Sequence, residues 1–327
     1  MDLLKVSTSP HVRGNRTTRT LMLDVIIALI PVFVWAIYIF GVRVITLTSL
    51  SVVSCILFEY LFQKLNHREI TIGDFSAVLS GVLLAFNLPV SAPLWLCVIG
   101  AFFAIVVVKQ LFGGLGKNFV NPVLAARVFL FISFPHQMTT YVAPLTYPQP
   151  WKISVDITSS ATLLSQLKSG VLPENISFAD LFLGRIGGCI GEISSLLLLI
   201  GGLYLIARRV ISPLIPLSYL GTVALITFFL PKIESAVAWE FMLVELLTGG
   251  LFLAAFFMAT DYVTSPSNPK GRVVYGVGCG VLTVFIRYYG GYPEGVSFAV
   301  LIMNLFVWYL DRYAKPVRFG GESRGKK

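Results

Sequence analysis

Uncharged apolar blocks about as long as a lipid bilayer is thick recur from one end of the chain to the other, and no other feature restricts the fold as strongly. A hydrocarbon core of about 30 Å takes roughly 20 helical residues to cross, and "LMLDVIIALIPVFVWAIYIF" (21–40) is the first of many such blocks. Only 13% of the 327 residues are charged and 56% are hydrophobic. With a mean hydropathy of +0.82, most of the length cannot be the surface of a water-soluble domain. The expected fold is an all-α polytopic membrane protein. Ten spans are placed near 21–40, 46–62, 75–88, 93–108, 122–134, 185–206, 213–230, 239–257, 273–289 and 296–310. The first block lacks a small-residue cleavage site and is followed by many others, so it reads as a retained span.

Basic residues orient these spans. With the N-terminus cytoplasmic, Arg43, Lys152, Lys168, Arg185, Lys232 and Arg287 fall outside or at outer span ends, and Arg127 falls within a span. The remaining 18 of the 25 Lys and Arg are on the cytoplasmic side. This bias puts both termini in the cytoplasm and accounts for the net charge of +9 without any nucleic-acid partner. Cys55, Cys97, Cys189 and Cys279 stand singly in apolar surroundings, and His11, His67 and His136 fall in separate loops. Buried thiols and no metal site are expected.

Two halves look alike. "SGVLLAF" (80–86) resembles "TGGLFLAAF" (248–256), and "FGGLG" (112–116) follows the first as "YGGYPEG" (289–295) follows the second. Five spans precede the long loop and five follow it. Because five is odd, the copies cross in opposite directions, as inverted repeats with a site near the midplane between them. The organisation expected is a first repeat over 1–134, an outer-face loop over 135–184 and a second repeat over 185–327. "NLPVSAP" (87–93) ends the third span, and "NP" (121–122) opens a fifth too short to cross a bilayer unaided. Broken helices are therefore expected, with non-helical backbone at depth lining protein or a polar cavity.

The one long loop is rich in proline and turn residues, with a short helix expected over 161–168. Within it lies "DITSSAT" (156–162). Ser and Thr there could simply cap the short helix. The order D-x-x-[S/T]-x-A-T, however, resembles the target of the periplasmic flavin transferase, usually D-x-x-[S/T]-G-A-T. The resemblance implies FMN joined through its phosphate to the Thr162 hydroxyl, with Asp156, Ser159, Ser160 and Ala161 read by the transferase. Ser160 stands where glycine is usual, a position at which a positive φ or close backbone approach would favour glycine.

Nearly the whole chain resembles one family. "SPHVRGNRTTRTLMLDVIIALIP" (9–31), "GDFSAVLSGVLLAFNLP" (73–89), "KQLFGGLGKNFVNPVLAAR" (109–127), "IGEISSLLLLIGG" (190–202), "ATDYVTSPSNPKGRVVYGVGCGVLT" (259–283) and "GGYPEGVSFAVLIMN" (290–304) are similar to the NqrB/RnfD membrane subunits. The absence of a long extension before "SPH" favours the RnfD branch. The resemblance implies a urea-channel-like fold of ten helices in two inverted repeats, set in a bacterial or archaeal inner membrane with the Thr162 loop outside. It also implies a subunit of an ion-translocating ferredoxin:NAD oxidoreductase (Rnf) complex, not catalytic alone. Implied partners are a second covalent-FMN subunit, iron–sulfur subunits, the flavin transferase, and Na⁺ or H⁺ as the moved ion. Related subunits also hold riboflavin non-covalently. The alternatives are an NqrB-like subunit of a sodium-translocating NADH:quinone reductase, and a non-redox channel or transporter on the same scaffold.

Acids inside spans are costly, by about 2.5–3.5 kcal/mol at the centre on insertion scales, and are functional candidates by default. Glu192 and Glu245, each expected two turns inside the outer end of a span, are the ion-pathway candidates, with Arg127 placed to neutralise one of them or to face the flavin phosphate. Asp24, Glu59 and Asp261, near cytoplasmic ends, are expected to be structural.

Overall fold

The computed structural model describes residues 17–145, 163–170, 177–233, 237–292 and 294–313. Among these the secondary structure is helical: α1 Thr18–Phe40, α2 Arg43–Leu65, α3 Ser76–Phe86, α4 Leu94–Gln110, α5 Pro122–Ser133, α6 Pro135–Thr139, α7 Leu163–Lys168, α8 Phe178–Leu183, α9 Ser195–Ala207, α10 Leu214–Phe229, α11 Ala238–Leu247, α12 Leu251–Met258, α13 Pro269–Tyr289 and α14 Val296–Tyr313. The 103–110 part of α4 and the 254–258 part of α12 are wound as π-helix.

Local chemistry sets the ends of these helices. Thr17 and Thr20 form a reciprocal cap at the start of α1. Asn121 accepts from Val123 and Leu124 N–H at 3.0 and 3.3 Å, and Pro122 fills the first helical position of α5, where its missing N–H costs nothing. Ser194 caps α9 by accepting from Leu197 N–H.

Three helices, α1, α2 and α14, are long and apolar enough to cross a membrane, and α11 with α12 makes a fourth if that pair, bent by 61°, counts as one span. Only 33–39% of the spanning windows of α1, α2 and α14 are buried inside the protein. Exposed Leu217, Phe229 and Leu225 similarly crowd the outer face of α10. Such apolar outer surfaces belong against lipid, and the chain is a multi-pass membrane protein. The helices α3, α4, α5, α9 and α10 are shorter apolar elements. α2 packs on α3 and α4, α10 on α11 and α13, and α13 on α14; α1 meets α9 and α5 meets α14 across the middle.

One boundary differs from expectation. The block 185–206 reads as helical throughout, but 185–194 forms turns and α9 begins only at Ser195. Cys189, Ile190 and Ile193 in those turns are nevertheless buried, by protein rather than by lipid. The segment after α3 is likewise unwound, as expected from "NLPVSAP". The two unwound stretches satisfy each other: Ile190 N–H donates to Leu88 O (3.1 Å), Gly191 N–H donates to Phe86 O (2.8 Å), and Pro89 pairs with Cys189. Arg43, expected at an outer end, is instead 1% exposed and donates to Val90 O (2.7 Å) and Ala92 O (2.8 Å). It thereby satisfies carbonyls that no helix serves.

Candidate functional site

Where the unwound stretches meet, five segments of the chain bring polar side chains to one place. Arg127, in the second turn of α5, donates to Glu192 Oε1 at 2.7 Å and to Asn87 Oδ1 at 2.7 Å, contacts Cys189 Sγ at 3.5 Å, and is ion-paired with Glu294 Oε2. Tyr141 OH donates to the other oxygen of Glu294 at 2.8 Å. Every one of these residues is buried. One guanidinium thus faces two carboxylates, which leaves one formal negative charge in a water-poor site with its geometry fixed by a planar fork.

Ligand atoms of Cys189, Glu192 and Glu294 lie within 4.8 Å of one another. The Arg127 guanidinium already contacts all three, so their lone pairs face a cation that the chain itself supplies. All four cysteines are buried and free, as expected, although the neighbours of Cys189 are charged.

The approach of Glu192 to this centre depends on the break between α11 and α12. Gly249 and Gly250 have φ of 70° and 66°, in the left-handed region that favours glycine. A Cβ on Gly250 would stand 2.7 Å from Glu192 Oε1.

A cavity of about 350 Å³ lies beside the cluster, lined by Glu192, Glu294, Thr248 and Gly249 and, on its other wall, by Leu163 and Leu164 of α7. α7 is the expected short helix. Thr162, Asp156, Ser159, Ser160 and Ala161 lie outside the described residues; Leu163 is the next residue along the chain from Thr162. At the far end of α7, Lys168 donates to Gly290 O at 2.6 Å and so ties this helix to the end of α13. Partial burial, and then the neighbouring Lys232, holds the Lys168 ammonium below its ordinary pKa.

Two further buried ion pairs flank the centre. Glu245, in the last turn of α11, accepts from Arg287 Nη1 at 2.7 Å, and the same guanidinium donates to Thr248 O at 3.0 Å, at the helix break. Glu59 accepts twice from Lys109 Nζ at 2.9 Å, and Lys109 also donates to Ser76 Oγ at 2.7 Å. Glu59 is 1% exposed, so it does not snorkel to a membrane surface as its position near a span end suggests. Asp24 does reach a helix end, pairing with Arg208 at 3.2 Å, and Asp261 accepts from Thr264 Oγ1 at 3.1 Å in the turn before α13. Of the two sequence-derived ion candidates, Glu192 sits in the central cluster and Glu245 in a separate pair. Glu294 is not among the sequence candidates because "YPEG" reads as a turn; its signal is its place just before α14, matching that of Asn121 just before α5.

Lys109 also lines a larger cleft of about 790 Å³ between α1, α3, α5 and α12. Asn118, Asn121, Ser80, Thr260 and Asp261 give it a polar wall, and Leu21, Phe256 and Phe257 an apolar one. The cleft thus sets polar donors and acceptors opposite an apolar wall.

Comparison with known proteins fits this geometry into a lineage. The NQR2, RnfD, RnfE family matches residues 5–320. The D subunit of the sodium-translocating ferredoxin:NAD⁺ oxidoreductase complex of Acetobacterium woodii is 47% identical over 97% of this chain and 95% of its own length. The D subunit of the proton-translocating ferredoxin:NAD⁺ oxidoreductase complex of Clostridium ljungdahlii is 36% identical over 98% and 97%. The D subunit of the ion-translocating oxidoreductase complex of Stutzerimonas stutzeri is 41% identical over 94% and 93%. On these matches, which run almost from end to end, the chain belongs to the NQR2, RnfD, RnfE family.

Proposed function

We propose that this chain is the D-type membrane subunit of an Rnf complex, carrying electrons on FMN esterified to Thr162 while the complex exchanges electrons between ferredoxin and NAD and moves Na⁺ or H⁺. The observation that carries the reading is near-full-length similarity to the D-type subunits of such complexes, in a chain that also has "DITSSAT" directly before the cavity-lining Leu163. Flavin supplies one- and two-electron chemistry, and the protein supplies position and electrostatics. A second, non-covalent riboflavin, as the family resemblance implies, would find partners in the cleft between α1, α3, α5 and α12, where Asn118, Asn121 and Lys109 offer donors and Phe256 and Phe257 offer flat apolar surface.

Further support for the inverted-repeat plan comes from the packing of α1 on α9 and of α5 on α14, each pair being the first or the last span of its half. The partners of the chain are then the other Rnf subunits, including a second covalent-FMN subunit and iron–sulfur subunits, and the flavin transferase that loads Thr162.

For ion handling, the excess carboxylate of the Arg127 cluster is the stronger candidate, and Glu192 and Glu294 both open on the cavity beside it. An ion or proton taken up there cancels the unbalanced charge, and its affinity then depends on the charge of nearby redox centres. In membrane vesicles holding the complete complex, Thr162→Ala should abolish ferredoxin-driven NAD reduction. Glu192→Gln and Glu245→Gln should keep a measurable fraction of electron transfer and lose ion uptake. Normal uptake in both Gln variants would exclude these carboxylates, and normal activity in Thr162→Ala would exclude the flavin reading.

A further inference from the structure

A basic cleft, of about 800 Å³, opens between the end of α9, the turn leading into α10, and the turns before α13. By the charge bias of the sequence it lies at the cytoplasmic membrane surface. Arg209 and Arg272 line it together with the hydroxyl residues Ser212 and Ser265, and no acid lines it among the described residues. The Nε of Arg272 donates to Pro266 O at 3.0 Å, which fixes the plane of that guanidinium. Tyr262 OH bonds to Val210 O and ties the two walls together.

Arg209 holds φ at 54°, a left-handed conformation that is strained for a residue with a Cβ. Glycine would fit this position without cost, yet a cation stands there. Strain kept at one residue of a cleft is a reason to ask what the side chain binds.

Two guanidiniums with hydroxyls beside them match a phosphate group. Val210 and Ile211 add apolar lining, and Leu203 of α9 and Leu217 of α10, one turn along their helices from the lining residues Ile206 and Pro213, are 53% and 68% exposed and offer apolar surface beside the cleft. A free phosphate needs no such surface, but an acyl chain does. We propose that this cleft binds the phosphate headgroup of an anionic phospholipid of the inner leaflet, with Arg209 and Arg272 on the phosphate and an acyl chain along Leu203 and Leu217. Basic pockets between membrane helices on the cytoplasmic side are suited to such headgroups.

The test uses the purified complex, delipidated in detergent and titrated with phosphatidylglycerol, phosphatidylcholine or inorganic phosphate, and read by native mass spectrometry and thermal melting. The wild type should retain phosphatidylglycerol saturably and phosphatidylcholine poorly. Arg209→Gly should lower retention about fivefold, as expected for one basic group near a headgroup, without lowering the melting temperature, because glycine relieves the strained φ. Arg272→Gln should lower it similarly, and Lys270→Gln, exposed and outside the lining, should not. Unchanged retention in both Arg variants overturns the proposal. Displacement of the lipid by millimolar inorganic phosphate, or equal retention of phosphatidylcholine, overturns the assignment to an anionic lipid.

Discussion

Removing the Arg127 guanidinium would leave Glu192 and Glu294 facing each other, buried and uncompensated. Breaking a buried ion pair from one side costs about 3–5 kcal/mol, so Arg127→Ala should sharply reduce the yield of folded protein, whereas Arg127→Lys keeps the charge, loses the fork and should fold with a lower melting temperature. Thermal melting of the detergent-solubilised protein checks both, and an Ala variant as stable as the wild type would show that the charges balance in some other way. At this scale the sequence is only partly legible. Arg127 stands out as a charge within a span, and Glu192 as an acid among apolar residues. Glu294 and Asn87 lie beside prolines and glycines that read as turns, and only the fold carries them to the same guanidinium. Glu59, expected to be structural, is held by Lys109, a partner that its place near a span end does not reveal.

Two helix breaks at depth do most to shape the site. At Thr248, Gly249 and Gly250 the chain turns so that the main chain passes against Glu192 and Arg287. Gly250→Ala would place a Cβ 2.7 Å from Glu192 Oε1 and meet a left-handed φ, so it should cost about 1–3 kcal/mol and shift Glu192 off Arg127. The check is a fall in melting temperature accompanied by a loss of ion uptake larger than the loss of electron transfer. Helix positions are readable because hydropathy marks them, and nine of the ten expected blocks coincide closely with helices, one of them the bent α11–α12 pair. The 185–194 stretch is not readable: an apolar run covered by protein has the same composition as one covered by lipid, and periodicity does not separate them.

Over the whole molecule, the charge bias and the apolar outer surface agree on a protein embedded in a bilayer. The orientation, with α7 outside and the start of α13 inside, rests on charge and can be tested through thiols, because all four native cysteines are buried and give little background. In intact cells a membrane-impermeant maleimide should label Ser169→Cys and leave Lys270→Cys unlabelled until the cells are broken; the reverse pattern would invert the topology. Four buried ion pairs, Lys109–Glu59, Arg127–Glu192, Arg127–Glu294 and Arg287–Glu245, are costly in such a protein without a purpose. The proposed redox-linked ion movement would give them one, with its redox group at the outer end.

That proposal turns on Thr162. Trypsin should release residues 153–168, which end at Lys168, from the complex made together with its flavin transferase. Mass spectrometry of that peptide, with fragmentation to locate the added group, tests the account most directly. The prediction is one FMN less one water on the Thr162 oxygen, absent from Thr162→Ala together with the in-gel flavin fluorescence of this subunit. An unmodified Thr162 in a complex that still transfers electrons at full rate would contradict it.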